Sequence, residues 1–156
     1  MTSEPHPPYI DKFFPEPYKA MLNVTKTLRK IYPDVDLGED LIELINVRVS
    51  QINGCGTCLS LHVPQALKAG VPQWKLDVLA AWRMVEDFSK QERAALELAE
   101  SLTLLQEGKG HTAGLKACEV FAEEQVAALE WAIVTINAFN RISIASVHPL
   151  LGKRKN

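Results

Sequence analysis

The chain predicts an all-α domain of six or seven helices, and three observations carry that prediction. Apolar residues recur at spacings of three and four along nearly the whole chain. The patterned segments are punctuated by helix-bounding residues such as Gly54, Gly70, Pro72 and Ser89. At 156 residues, with no internal repeat, low-complexity block or shift in composition, one domain accounts for the whole pattern.

Residues 1–14 are rich in proline and predict an extended arm, followed by a single domain over 15–150 and a basic, solvated tail over 151–156. "PYKAMLNVTKTLRKIY" places Met21, Val24, Leu28 and Ile31 on one stripe that ends before Pro33. After the turn-rich "PDVDLGED", Leu41, Leu44, Ile45 and Val49 resume on one side and stop at Gly54. The β-branched residues there allow a strand, but stripe and length favour a helix. A helix over residues 55–68 follows and ends at Gly70, a good residue just past a helix terminus. "VPQWKLDVLAAWR" opens with Pro72 and carries Leu76, Leu79, Ala80 and Trp82 or Arg83 forward. "SKQERAALELAESLTLLQEG" begins with a capping box, Ser89 and Glu92, and closes before Gly108. "GKGHTAG" reads as a flexible connection. The last helix, "EEQVAALEWAIVTINAFNRISIASV", bears a stripe of Val126, Leu129, Ile133, Ile136 and Phe139, while Ala132, Val134, Ile142 and Ile144 fill much of the rest. A helix apolar nearly all round needs burial on several sides, so a homo-oligomer is expected.

Hydrophobic content of 47%, charged content of 23% and a net charge of −2 are ordinary for a globular protein and give no push toward nucleic acid or anionic membrane. The first residues lack the basic and apolar regions of a signal peptide, and no run is long and apolar enough to span a bilayer. Three cysteines in such a chain point to a reducing cytoplasm, where a CxxC pair serves redox or metal chemistry more often than permanent cross-linking.

The pair is found in "NGCGTCLSLH". On a helix, Cys55, Cys58 and His62 share one face. A helix starting beside them places unpaired N–H groups and a positive dipole end near the thiols, favouring thiolate. A thiolate attacks peroxides and disulfides, and a second cysteine three residues away can resolve the product. His62 is placed to exchange the proton. Glu43, among Leu41, Ile42, Leu44 and Ile45, needs an outward direction or a partner, and could orient the His62 ring if the two helices fold back on each other. Spacing alone leaves a redox pair, a metal clip of Cys55, Cys58, His62 and Glu43, and inert packing all open. His6, His111 and His148 read as exposed, Cys118 as a small packed side chain, and Trp74, Trp82 and Trp131 as core or interface anchors. Asn137, Asn140 and Arg141 share a face of the most apolar helix and need polar partners, structural ones being favoured over a border on the thiol pocket.

In combination, Glu43, Cys55, Cys58 and His62 give E-x11-C-x2-C-x3-H, which resembles the active-site pattern of the alkyl hydroperoxidase D (AhpD)-like group of the carboxymuconolactone decarboxylase superfamily. "RVSQINGCGTCLSLH", "AGVPQWKLDVLAAWR", "FSKQERAALELAESLT" and "INAFNRISIAS" are similar to segments of its small single-domain members. The resemblance implies an AhpD-like helical fold assembled as trimers or hexamers. It implies Cys58 as the peroxide-reacting thiol, Cys55 as the resolving thiol, and Glu43 with His62 as a proton relay. The implied chemistry is reduction of hydroperoxides by a peroxiredoxin-type oxidoreductase in antioxidant defence, with no haem, flavin or metal cofactor. Electrons would come from a dithiol such as a lipoyl group, a thioredoxin-like protein or a peroxiredoxin. Thr57 stands where AhpD proper has a second histidine. A non-enzymatic redox sensor or adaptor, and lactone chemistry of the decarboxylase type, are the alternatives.

Overall fold

The computed structural model describes residues 5–152, and among them eight α-helices and one 3-10 segment form, with no strand. In order they are α1 (Ile10–Phe13), α2 (Pro15–Asp34), α3 (Glu39–Asn53), α4 (Gly56–Lys68), α5 (Gln73–Val78), the 3-10 segment Leu79–Met84, α6 (Lys90–Leu104), α7 (Lys109–Ala117) and α8 (Glu123–Ala145).

The helix buried all round is α3 rather than the last one. Its residues 42–47, 49 and 50 are all buried. Ile42, Ile45 and Val49 face a core shared with α6, α7 and α8, built around Leu98, Leu129 and Ile133. Leu44 and Val47 face a second core with Ala66, Leu79, Trp82 and Leu96. Two cores on opposite sides make α3 the axis of the domain, and α4, α6 and α8 pack directly on it. By contrast α8 leaves Trp131 and Val134 more than half exposed, so the burial expected of its whole circumference is incomplete within one chain.

Four sequence expectations are revised. "GKGHTAG" forms most of α7, because Ala113 and Ala117 pack inward and small residues allow a close approach to α6. A Cβ on Gly110 would lie 3.2 Å from Leu102 Cδ2. Pro33 lies inside the last turn of α2 rather than beyond it, where the loss of one N–H matters little. The segment after Val78 tightens into a 3-10 helix with non-helical dihedrals at Ala81. Finally, the extended stretch of the arm ends at Tyr9, and Ile10–Phe13 makes one helical turn. The capping box is as expected: the Glu92 N–H donates to Ser89 Oγ at 3.1 Å, and the Ser89 N–H to Glu92 Oε2 at 2.7 Å. The tail beyond Gly152 lies outside the described residues.

Candidate active site

Gly54 ends α3 in the left-handed region, with φ of 68°, a conformation that only glycine adopts at no cost. The Cys55 N–H donates back to the Ser50 carbonyl at 3.0 Å and closes the turn. Cys55 thereby becomes the N-cap of α4, and its Sγ accepts the N–H of Cys58 at 3.3 Å. Cys55 and Cys58 are joined in a disulfide and are only 2% and 6% exposed.

The turn at Gly54 folds α4 back along α3 and brings Glu43 and His62 together. His62 Nδ1 and Glu43 Oε2 are 2.7 Å apart, and Asn46 Nδ2 donates to Glu43 Oε1 at 3.2 Å. Glu43 is 5% exposed, so its carboxylate depends on these two donors. An ionised carboxylate only accepts, which assigns the Nδ1 proton to His62 and leaves Nε2 of the neutral ring as the base. Tyr32 stands nearby on α2, and its phenol is pushed up to about 12, first by burial and then by the negative charge of Glu43.

A cavity of about 860 Å³ opens beside these groups. Cys58 and His62 line it from α4, Glu43 from α3, Leu22 and Tyr32 from α2, and Ile136 and Phe139 from α8. Cys58 faces this space; Cys55 is not among its lining residues. The volume lies in the range of small-molecule sites, about 300–1,000 Å³. With the two sulfurs bonded to each other, the donor set for a metal clip is not assembled. Among the described residues no group of three or more His, Cys, Asp or Glu side chains is gathered for a metal ion.

All four residues singled out by the sequence thus converge. Sequence reading missed Asn46 and Tyr32, although Asn46 stands three residues after Glu43 and so shares its face. His148, expected to be exposed, is part-buried: Nε2 is 3.0 Å from Asp11 Oδ1, and Tyr9 stacks on its ring. Cys118, expected to pack, is exposed. Of the tryptophans only Trp82 is buried, and its Nε1 donates to Glu100 Oε1 at 2.8 Å. The Asn137, Asn140 and Arg141 group finds protein partners: Asn53 Nδ2 donates to both asparagine oxygens at 2.9 Å, and Arg141 is exposed and donates to Asn137.

The family model for the carboxymuconolactone decarboxylase family matches residues 15–101, which include Glu43, Cys55, Cys58 and His62. The uncharacterized protein YdfG of Bacillus subtilis is 36% identical over 132 residues, covering 84% of this chain and 87% of YdfG. Among solved structures, a protein of unknown function from Agrobacterium tumefaciens, described as a candidate antioxidant defence protein AhpD, superposes with a TM-score of 0.84. It is 25% identical, and the match covers 96% of this chain and all of that one. The debrominase Bmp8 superposes with a TM-score of 0.65 at 17% identity, over 85% of this chain and 76% of its own, a likeness of fold alone. No helix among the described residues is long and apolar enough to cross a membrane. The chain belongs to the carboxymuconolactone decarboxylase family and carries the AhpD-like helical fold.

Proposed function

We propose that this protein is a thiol-dependent peroxidase of the antioxidant type, reducing hydroperoxides through Cys58 and Cys55. The observation that carries this is the Glu43–His62 hydrogen bond beside a cavity that Cys58, and not Cys55, faces. His62 Nε2 takes the Cys58 thiol proton, with Glu43 stabilising the imidazolium that forms. The thiolate attacks the outer oxygen of the hydroperoxide and the O–O bond breaks. The alkoxide leaves as the alcohol with the proton from His62, and Cys58 becomes a sulfenic acid. The Cys55 sulfur, held by the Cys58 N–H, then attacks the Cys58 sulfur. Water leaves with the Cys55 proton, and the Cys55–Cys58 disulfide forms. A dithiol returns the pair to thiols through a mixed disulfide. The balance is one hydroperoxide and one dithiol consumed, one alcohol, one water and one disulfide produced.

The proposed partners are therefore a hydroperoxide and a dithiol reductant, either a lipoyl group, a thioredoxin-like protein or a peroxiredoxin. A cytoplasm rich in thiol reductants is the proposed compartment. Self-association is part of the proposal, supported by the exposed apolar residues Trp131, Val134 and Ile144 on α8 and by Leu104, Leu105 and Leu115. The test is dithiol-dependent loss of an organic hydroperoxide by wild type, Cys58→Ser and Cys55→Ser. Multiple turnovers are expected only from wild type. Equal rates in all three proteins would sink the proposal, and a single stoichiometric oxidation would favour a redox sensor instead.

A further inference from the structure

His148 follows α8 and belongs to neither the relay nor the disulfide, yet it ties together three parts of the chain around the Cys58 cavity. Its ring holds the arm: Nε2 is 3.0 Å from Asp11 Oδ1, and the Tyr9 ring stacks on it at 5.5 Å between centroids. The arm is pinned again by the Ile10 N–H, which donates to Ser146 Oγ at 3.2 Å. The His148 carbonyl accepts the hydroxyl of Thr57, between the two cysteines, at 2.6 Å. Just beyond, the Leu151 N–H donates to Ser60 Oγ at 2.9 Å, and Leu150 packs so closely on Gly56 that a Cβ there would come within 3.3 Å of it. Tyr9, Asp11, His148 and Leu151 all line the cavity, so arm and tail together make one of its walls.

This wall differs in kind from the others. Helices α2, α3, α4 and α8 present walls backed by buried side chains, whereas Ile10–Phe13 contributes no buried residue. The arm is held by a few polar contacts and one stacked ring, and contacts of that sort break locally at small cost while the core stays folded. Meanwhile Cys55 and Cys58 are 2% and 6% exposed, and thiol–disulfide exchange demands that the attacking sulfur reach its target.

We propose that the Asp11–His148 clasp is the gate of the Cys58 cavity: closed, it admits small molecules to Cys58, and a bulky reagent or a protein dithiol reaches the sulfur only when the arm swings away. The physiological weight of the gate rests on the peroxidase reading, since it would separate admission of the hydroperoxide from admission of the reductant. The gate itself is measured without turnover.

The test uses Cys55→Ser/Cys118→Ser protein, in which Cys58 is the sole thiol; the exposed Cys118 would otherwise react first. Rates of alkylation are measured with iodoacetamide and with a polyethylene-glycol maleimide, each normalised to a free thiol. Adding Asp11→Ala or His148→Ala is expected to raise the bulky rate about fivefold, as loss of one net hydrogen bond would. The iodoacetamide rate should stay within about twofold, because the thiol itself is unchanged. The double variant should exceed His148→Ala little, since both remove the same contact. Tyr9→Ala, which leaves the Asp11–His148 pair in place, gives a second route to a loosened arm, and thermal melting confirms that each protein folds. Equal bulky rates in folded wild type and variants overturn the gate, and so does a parallel rise with both probes, which would mean an altered thiol. Neither result depends on whether the protein turns over hydroperoxide.

Discussion

Replacing Glu43 with glutamine keeps the side chain's size and removes its charge, which isolates the relay from packing. The Glu43 and His62 side chains are 7% and 14% exposed and 2.7 Å apart, so water screens the pair little. A glutamine can still accept the His62 Nδ1 proton, and its amide NH2 can donate to Asn46 once that amide flips, so the fold should survive. What is lost is charge assistance. A hydrogen bond to a charged group is worth about 1.5–3 kcal/mol against about 1 for a neutral one, so the imidazolium loses roughly 0.5–2 kcal/mol. At about 1.4 kcal/mol per decade this predicts a fall of more than twofold and up to roughly thirtyfold in kcat/KM for hydroperoxide reduction. The assay follows hydroperoxide loss with excess dithiol, alongside the ultraviolet absorbance of the Cys58 thiolate in Cys55→Ser protein. Two further outcomes are expected. Glu43→Gln combined with His62→Ala should be no slower than His62→Ala alone, because the two act as one unit. The Tyr32 phenol should also titrate lower once the neighbouring charge has gone. A rate within twofold of wild type, or losses that add in the double variant, would refute the relay.

The alkaline limb of stability should carry the signature of Tyr32. Its folded pKa is raised from 10.0 to about 12, so the stability it contributes is fully present below the unfolded value and lost as pH rises through the folded one; urea midpoints should fall between about pH 10 and pH 12 in wild type and less in Tyr32→Phe. Glu100 governs the acid side. Burial alone would raise its pKa, but donors from Trp82, Arg48 and Arg83 more than offset this and hold it below the usual 4.5; its stabilisation is present above the unfolded pKa and lost as pH falls through the folded one. Glu100→Gln should therefore cost roughly 3 kcal/mol near neutrality and converge with wild type in acid, as read by denaturant unfolding. Trp131→Glu places a charge on the exposed apolar face of α8 and should shift the protein to a smaller species in size-exclusion chromatography with light scattering, without loss of helicity. An unchanged oligomer in that variant counts against the proposed interface.

The helical periodicity was legible because α2, α3, α6 and α8 each carry an apolar stripe long enough to dominate local noise. The site residues were legible for the same reason: Cys55, Cys58 and His62 share a helical face, and Glu43 was conspicuous as a carboxylate among leucines and isoleucines. What escaped was set by tertiary contacts. Residues 108–114 read as a loop because three glycines lower helix propensity, yet one of them, Gly110, lets α7 approach Leu102 of α6 closely. Asp11 and His148 are 137 residues apart, and no local pattern announces that an arm and a tail will meet. The burial of α3 on both sides could not be read from its own stripe, since it depends on α5 and the 3-10 segment supplying a second core.

The asparagines on the last helix gain meaning from where α3 ends. Along α3, Glu43, Asn46, Ser50 and Asn53 fall at intervals of three and four, a polar stripe running down the most buried helix of the domain. Its upper end serves the relay, through Glu43 and Asn46. Its lower end binds α8: Asn140 is fully buried and donates to Ser50 Oγ at 3.0 Å, while Asn53 donates to Asn137 and Asn140. Asn137 in turn reaches Thr103 on α6 at 3.0 Å. A buried polar network of this kind specifies one register, because sliding α8 along α3 would strand several donors away from water. The register it fixes is that of residues 50–53, directly before Gly54 and the Cys55 cap. The same stripe therefore holds the base at one end and locks the turn that aims the sulfurs at the other, which accounts for polar side chains persisting in the most buried helix of the domain.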